Sequence, residues 1–291
     1  MKVTKAIIPA AGFGSRMLPV TKAIPKEMLP LVDKPAIQFI VEEAAASGIE
    51  DILIVTSRGK VAIEDHFDRY PELEDTLNKP GKEEMLESVI EVNKLANITY
   101  IRQPEINGLA QAIMMGRGFV GDEPFMVLYG DDVIVSDTPV TKQLMTAYDE
   151  FSLPSLGIQQ VAEQYISLYS SLKVSNIRDN LFMVDDMVEK PKFGEHLSLY
   201  AILGRCLLTS DIFECIVNQK PGAGGEIQLT DAIRTIAQDR GCIGVDFSGI
   251  RYDIGNKVGY LKAQVEFGLR NKETSTAFRE YLKNLNTDDF R

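Results

Sequence analysis

A short apolar run near the start of the chain passes directly into a glycine-rich and then a basic segment. Residues 6–8 predict the end of a β-strand. The residues that follow are small, so the backbone can approach a ligand closely or adopt a positive φ: Ala10, Ala11, Gly12 and Gly14. Three cations come next, Arg16, Lys22 and Lys26, separated by prolines that prevent one continuous helix. A turn with exposed N–H groups and nearby cations predicts a site for a chain of phosphates.

The spacing of these glycines differs from that of the two commonest phosphate loops. A Walker loop needs Gly-Lys followed by Ser or Thr, whereas residues 12–16 read Gly-Phe-Gly-Ser-Arg. A dinucleotide-binding fingerprint needs a third glycine where Met17 stands, which disfavours a Rossmann oxidoreductase. The pattern G-x-G-x-R alone is also compatible with a solvated surface turn. The run Lys-Glu-Met-Leu-Pro at residues 26–30 favours the binding site.

Residues 10–35 closely resemble the signature of the sugar-phosphate nucleotidyltransferases, in particular the bacterial UTP–glucose-1-phosphate uridylyltransferases. The resemblance implies an α/β, Rossmann-like fold with a mixed, mostly parallel central sheet flanked by helices, a small β region and a helical C-terminus. It also implies the activity: Mg²⁺-dependent, in-line transfer from UTP to glucose 1-phosphate, giving pyrophosphate and UDP-glucose for cell-envelope polysaccharide. We expect a single domain over residues 1–291, with a catalytic core to about 255 and a helical segment over 256–291.

The pattern of apolar residues agrees with this fold class. Residues 52–56 form a continuous apolar run of strand length, and the helical period before it completes a strand–helix–strand unit. Residues 60–95 are predicted to be helical, with a break at Pro80-Gly81. Further strands are predicted at residues 98–102, 125–129, 156–161, 172–177, 181–188, 199–207 and 243–247. Further helices are predicted at residues 109–116, 141–151, 209–218, 229–238 and from 259 onward.

Composition restricts the function and the compartment. The formal net charge of −11 argues against broad binding to nucleic acid or to an anionic membrane. There is no apolar run of about 20 residues and no signal-peptide pattern, so we expect a soluble, cytoplasmic protein. The three cysteines, Cys206, Cys215 and Cys242, lack metal-type spacing and are expected to be reduced.

Paired carboxylates at the end of a predicted strand point to a metal. Asp131 and Asp132 follow residues 125–129, and open α/β sheets bind ligands at the carboxyl ends of their strands. Carboxylate oxygens suit Mg²⁺, although a Gly-Asp-Asp sequence by itself can equally be a turn. The resemblance assigns the metal to Asp131, with Asp253 as a second ligand.

The resemblance also implies the remaining site residues. A glutamate should accept hydrogen bonds from sugar hydroxyls, a lysine should bind the sugar phosphate, and a glutamine amide should pair with the uracil edge. The residues expected to be catalytic are Arg16, Lys26 and Lys190. Those expected to bind the nucleotide are Ala10, Ala11, Gly12, Gly14, Glu27, Gln103 and Gly108. Those expected to bind the sugar are Glu189 and Gly204.

The chain departs from the family pattern on the sugar side. Gln111 stands where the family usually has histidine, Ser170 and Ser171 replace a Gly-Ile pair, and Cys206 replaces a tyrosine. Three alternatives therefore stay open: a thymidylyltransferase, a transferase for another hexose 1-phosphate, and a sugar-nucleotide sensor without catalysis. The resemblance further implies a homo-oligomer, a dimer or tetramer built through the C-terminal helices.

Overall fold

A computed structural model of the chain describes residues 2–220, 222, 225–286 and 288. Its strands are β1 Lys5–Pro9, β2 Pro30–Leu31, β3 Lys34–Pro35, β4 Asp51–Thr56, β5 Asn97–Arg102, β6 Phe125–Leu128, β7 Asp132–Val135, β8 Ser155–Gln160, β9 Ser170–Arg178, β10 Leu181–Glu189, β11 Tyr200–Leu208, β12 Cys242–Asp246 and β13 Ile250–Asp253. Its α-helices are α1 Ala36–Ala46, α2 Val61–Phe67, α3 Pro71–Leu77, α4 Glu83–Val92, α5 Leu109–Met114, α6 Arg117–Val120, α7 Val140–Phe151, α8 Ile212–Val217, α9 Leu229–Arg240, α10 Lys257–Arg270 and α11 Ser275–Asn284. Short 3₁₀ turns cover Ser15–Met17, Val20–Lys22, Lys26–Met28 and Glu163–Leu168.

A nine-stranded sheet in the order β5-β4-β1-β6-β11-β8-β12-β10-β9 forms the centre of the fold. Strands β5, β4, β1 and β6 are parallel, and β12 is parallel to β8. Strand β11 is antiparallel to β6 and β8, and β10 is antiparallel to β12 and β9. Only β11 and β10 therefore run against the other strands of this sheet. The expected mixed, mostly parallel sheet is confirmed.

Both faces of this sheet are covered, which explains why its central strands are continuously apolar. On one face Ile8 and Ile54 pack with residues of α1 and α7. On the other face Ile7 and Leu53 pack with residues of α5, α8 and α9. Adjacent residues of β1 thus pack into the cores on opposite faces of the sheet, because successive side chains of a strand point to opposite faces.

The C-terminal prediction needs one correction, because the described part of this segment contains two helices. Helix α10 begins at Lys257, where Asn256 accepts a hydrogen bond from the N–H of Gly259 as an N-cap. The chain turns at Asn271, whose side chain accepts hydrogen bonds from the N–H groups of Glu273 and Thr274. Asparagine side chains compete in this way with helical hydrogen bonding. Residues 287 and 289–291 of the predicted segment lie outside the described residues.

A two-stranded sheet in which β7 pairs antiparallel with β13 was not predicted from the sequence. The two strands have four residues each, too few for a clear apolar pattern. Their register places Asp132 opposite Asp253, so the expected metal-binding segments lie side by side. No helix among the described residues is both long and apolar enough to span a bilayer.

Candidate active site

The loop after β1 is joined to the end of β4 by two hydrogen bonds. The Ala10 N–H donates to the carbonyl of Val55, and the Ser57 hydroxyl donates to the carbonyl of Ala11. Gly14 has a φ of 67°, and a Cβ at this position would lie 3.1 Å from Cγ2 of Thr21. Glycine is therefore required both by the backbone conformation and by the close approach. The result is a fixed turn whose inner side carries no bulky side chain.

A cavity of about 290 Å³ lies beside this turn. It brings together six of the residues predicted from the sequence: Ala11, Gly12, Lys26, Gln103, Gly108 and Asp131. Tyr129, Gly130, Leu109 and Glu226 contribute further walls. The cavity thus joins the ends of strands β1, β5 and β6, the edge at which open α/β sheets bind ligands.

A compact cluster of opposite charges closes one end of this cavity. The Nζ atom of Lys26 lies 2.5 Å from Oδ2 of Asp131. Arg16 spans the two expected metal ligands, with Nη2 3.8 Å from Oδ2 of Asp131 and Nη1 3.9 Å from Oδ2 of Asp253. Burial on its own would raise the pKa of Asp131, but the neighbouring Lys26 and Arg16 lower that pKa below its ordinary value. Burial would likewise lower the pKa of Lys26, and the partner Asp131 raises it instead.

Asp132 has a different environment although it follows Asp131 directly. Its Oδ1 atom lies 2.6 Å from Nη2 of Arg251. Burial raises the pKa of Asp132 to about 6, and Asp131 and Asp253 add to this effect against the opposing charge of Arg251. Arg251 was not predicted from the sequence. It lies two residues before Asp253 and hence on the same face of β13, but this strand is too short to be recognised in the sequence.

The carboxylates of Asp131 and Asp253 lie where a Mg²⁺ ion could bind. A Cβ at Gly255 would lie 2.4 Å from Oδ2 of Asp131, 3.1 Å from Oδ1 of Asp253 and 2.7 Å from Nη2 of Arg16, so both carboxylates border the same small space together with one cation. Within the described residues, no group of three or more His, Cys, Asp or Glu side chains could hold a metal. Mg²⁺ commonly takes one or two carboxylates and completes its shell with substrate phosphates and water. Two convergent carboxylates beside a phosphate-type loop fit that mode of binding.

Glu27, expected to bind the nucleotide, lies behind the cavity rather than in its wall. Its side chain is fully buried, and Nζ of Lys60 donates a hydrogen bond of 2.7 Å to its Oε2. Burial raises the pKa of Glu27 in spite of Lys60. Gly130 covers Glu27 closely, since a Cβ there would lie 3.2 Å from the Cγ of Glu27. In this arrangement Glu27 supports the backbone that presents Lys26, and a direct contact with nucleotide stays a prediction.

Glu189 ends β10 and Lys190 follows it, whereas Gly204 lies within β11; all three are outside the walls of this cavity. Glu189 accepts a hydrogen bond of 2.7 Å from the hydroxyl of Thr230, which orients its carboxylate. Lys190 adopts a φ of 47°, and its half-exposed side chain places Nζ 3.8 Å from Glu189. Gly204 has a φ of 75°, and a Cβ there would lie 2.9 Å from the Cβ of Asp132. The structure therefore places Gly204 against the acidic cluster, and its contact with sugar stays a prediction.

A fully buried arginine, also missed from the sequence, ties these segments together. Arg205 donates through Nε and Nη2 to the carboxylate of Glu43, with distances of 2.6–3.2 Å. The same guanidinium donates to the carbonyls of Gly204 and Asp132. Burial alone would raise the pKa of Glu43, but Arg205 lowers it. Arg205 thus fixes the start of β7, the residue next to Asp131.

The positions that depart from the family pattern have defined structural roles. Gln111 accepts hydrogen bonds from the side chain of Gln103 and the N–H of Asn107, so it orients the expected base-reading amide. The hydroxyl of Ser170 accepts from the N–H of Ile202, and that of Ser171 bridges to the segment at Ser198. Cys206 is buried against Tyr129, and burial raises the pKa of its thiol to about 12.

Comparison with known proteins places this site in a family. The family described as nucleotidyl transferase matches residues 5–268, and the chain belongs to it. The chain is 50% identical over 284 residues to UTP–glucose-1-phosphate uridylyltransferase 2 of Staphylococcus saprophyticus, covering 98% of both chains. It is also 50% identical to UTP–glucose-1-phosphate uridylyltransferase YngB of Bacillus subtilis, covering 98% of this chain and 96% of that one. A solved UDP-glucose pyrophosphorylase complexed with UDP-glucose aligns with a TM-score of 0.85 at 38% identity, over 93% of this chain and 100% of that chain. The resemblance and the α/β nucleotidyltransferase fold predicted from the sequence are confirmed.

Proposed function

We propose that this protein transfers a uridylyl group from UTP to glucose 1-phosphate in a Mg²⁺-dependent reaction, giving UDP-glucose and pyrophosphate. The observation that carries the proposal is the convergence of Arg16, Lys26 and Asp131 at the end of the cavity beside the glycine-rich turn. Two cations beside a loop that exposes backbone N–H groups suit a triphosphate. The relatives that share half of the sequence carry the same activity in their names.

The proposed chemistry needs no covalent enzyme intermediate. A phosphate oxygen of the sugar phosphate attacks the α-phosphorus in line, and the bond to the β-phosphate oxygen breaks as pyrophosphate leaves with the electron pair. Arg16 and Lys26 offset the charge on the triphosphate, so catalysis rests on positioning and on electrostatic stabilisation. Asp131 and Asp253 would hold the Mg²⁺, which when bound neutralises charge on the phosphates.

The base and the sugar would be read by residues that the fold already orients. Gln103 is nearly buried and fixed by Gln111, so its amide can present a donor and an acceptor to the uracil edge. Glu189, oriented by Thr230, can accept hydrogen bonds from sugar hydroxyls. We infer that the enzyme acts in the cytoplasm, where UTP and sugar phosphates are produced.

The direct test measures pyrophosphate release by the purified protein with Mg²⁺ and glucose 1-phosphate, comparing UTP with dTTP. We expect rapid release with UTP and much slower release with dTTP. Equal release with dTTP would favour the thymidylyltransferase alternative. Release of pyrophosphate only with a different hexose 1-phosphate would show that the enzyme uses another sugar. Binding of UTP without release of pyrophosphate would indicate a sugar-nucleotide sensor without catalysis.

Lys190 provides a specific prediction for the sugar side. Lys190→Ala should lower turnover on the order of 10²-fold, because a compact charge that places the attacking phosphate is removed. Its side chain is half-exposed, so thermal stability should stay near that of the wild type. Lys192→Ala is the control, since Lys192 lies two residues away and is exposed. Unchanged turnover of Lys190→Ala in the pyrophosphate assay would remove Lys190 from the catalytic residues.

We also propose that the chain forms a homo-oligomer, a dimer or tetramer, through α10 and α11. Helix α11 buries none of its own residues, although one side of it is apolar. Leu261, Val265 and Phe278 line an apolar groove between the two helices. Leu261 is 63% exposed, which leaves an apolar surface of the kind that marks association sites.

Leu261→Asp should shift the oligomer toward monomer at micromolar concentration, because a charge buried in an apolar contact lacks a partner. Sedimentation velocity would report the change in mass. Lys262→Gln, at the next residue and outside the groove, should leave the mass unchanged. A wild-type protein that stays monomeric at every concentration would contradict this proposal.

A further inference from the structure

Tyr129 is a wall residue of the nucleotide cavity to which the proposed function gives no role. It follows the end of β6 directly and lines the cavity together with Gln103 and Gly108. Its side chain packs against the apolar core cluster that includes Ala112. Tyr129 therefore borders the half of the site that is expected to bind the base.

The same residue also borders the sugar half of the site. The N–H of Tyr129 donates a hydrogen bond of 2.9 Å to the carbonyl of Gly204 in β11. Val127 is paired with Cys206 across β6 and β11, and Tyr129 lies two residues beyond Val127. Because side chains two residues apart along a strand share a face, Tyr129 and Cys206 lie on the same face of the sheet. Both belong to the packing of one core cluster.

The hydroxyl of Tyr129 and the thiol of Cys206 are hydrogen-bonded to each other. Burial raises the pKa of Tyr129 well above its ordinary value, and Cys206 and the carboxylates of Glu189 and Asp132 raise it further. The phenol therefore keeps its proton and stays a hydrogen-bond donor. Since Glu189 is expected to accept hydrogen bonds from the sugar, this donor lies near the carboxylate that should hold the same ligand.

The thiol is a weak partner for this donor. Sulfur accepts hydrogen bonds poorly, so the phenol gains by exchanging Cys206 for an oxygen acceptor. The hydroxyls of a sugar held by Glu189 are acceptors of that kind. Position 206 is also one at which the chain departs from the family pattern, with cysteine in place of tyrosine. In this chain the phenol beside position 206 comes from Tyr129, at the end of the neighbouring strand.

We propose that Tyr129 is a specificity-determining residue for the sugar, and that its hydroxyl leaves Cys206 to donate a hydrogen bond to one hydroxyl of the bound hexose. Glu189 accepts from the sugar and Tyr129 donates to it, so the two side chains together recognise hydroxyls in defined positions. A site built to bond a hydroxyl rejects an analogue that lacks this group. The inference rests on the proposed function for the uridine nucleotide and the hexose.

The test measures binding of UDP-glucose and of UDP, which lacks the hexose, to the whole protein by isothermal titration calorimetry. Tyr129→Phe removes the hydroxyl and keeps the ring. This variant should bind UDP-glucose about tenfold more weakly than the wild type, because one hydrogen bond to the sugar is lost. Its affinity for UDP should not change.

A set of deoxy analogues of UDP-glucose, each lacking one hydroxyl of the hexose, identifies the group that Tyr129 contacts. With one of these analogues the wild type and Tyr129→Phe should bind equally, because the bond is already absent. With the other analogues the loss of about tenfold should persist. This pattern separates a contact with the sugar from a general effect on the cavity.

Two further variants test the role of the partner thiol. Cys206→Ser gives the phenol a stronger partner, so it should weaken UDP-glucose binding by less than Tyr129→Phe does and leave UDP binding unchanged. Tyr200→Phe is the matched control, since Tyr200 begins β11 and its hydroxyl donates to Asp246, and neither residue lines the cavity. Its affinity for both ligands should equal that of the wild type.

Equal losses of UDP and UDP-glucose binding in Tyr129→Phe would overturn the inference, because the hydroxyl would then support the cavity and not the sugar. Unchanged UDP-glucose binding would also overturn it, as would the same loss with every deoxy analogue. These outcomes are separate from failure of the proposed function. Absent pyrophosphate release together with a loss confined to UDP-glucose would remove the transfer reaction and leave Tyr129 as a sugar-binding residue. Normal release together with unchanged UDP-glucose binding would do the reverse.

Discussion

Asp131→Asn should lower the turnover of UTP and glucose 1-phosphate by about 10²–10³-fold, the cost of removing one strong electrostatic contact at a reacting centre. The amide keeps the shape of the carboxylate and can still accept a hydrogen bond from Lys26, so we expect the variant to fold. It cannot supply the charge that a Mg²⁺ ligand needs. The Mg²⁺ concentration that gives half-maximal activity should therefore rise along with the loss of turnover.

The measurement is a steady-state series over Mg²⁺ at saturating UTP, with thermal denaturation as the check on folding. Asp122→Asn is a suitable control, because Asp122 is an exposed aspartate before β6 and lies outside the cavity. Its kinetics should match those of the wild type. If Asp131→Asn retained turnover within a few-fold and the same Mg²⁺ dependence, Asp131 would not be a metal ligand.

The part of the site formed by local sequence could be predicted. Glycine at position 14 allows a positive φ and a close approach, so the sequence predicted the turn. Lys26 follows in a segment interrupted by prolines, so the sequence also predicted a cation beside the turn. Asp131 was predictable because it follows an apolar strand, whose carboxyl end is where such sheets bind ligands. These inferences depend only on residues that are neighbours along the chain.

The rest of the site depends on pairings between distant segments. Arg205 and Glu43 are 162 positions apart, and each alone is compatible with an exposed charge. The proximity of Asp253 to Asp131 follows from the pairing of β7 with β13, two strands too short to show a pattern. The sequence did not show which of the neighbours Lys26 and Glu27 faces the cavity. Neighbouring residues of a 3₁₀ turn point in different directions, so only one of them can do so. The full burial of Glu27 and its hydrogen bond with Lys60 show that it faces inward.

Arg205→Met should lower the free energy of unfolding by about 3 kcal/mol, because it leaves the carboxylate of Glu43 buried without its cation. This value is at the lower end of the range for broken buried ion pairs, since Thr141 still donates two hydrogen bonds to Glu43. The variant also loses the bond to the carbonyl of Asp132, so turnover should fall as the neighbouring Asp131 loses its fixed position. Urea denaturation measures the first effect and the pyrophosphate assay the second.

Two comparisons decide whether burial of an unpaired charge is the cause. Arg205→Met combined with Glu43→Gln should recover most of the lost stability, because no buried charge then remains unpaired. Arg178→Met removes an exposed partner of Glu150, with side-chain exposures of 55% and 42%, and should cost less than about 1 kcal/mol. Should the double variant be no more stable than Arg205→Met, the loss comes from the packing of the Arg205 stem and from its bonds to the carbonyls of Gly204 and Asp132. In that case Arg205 stabilises the fold through the start of β7, and Glu43 is only its counter-charge.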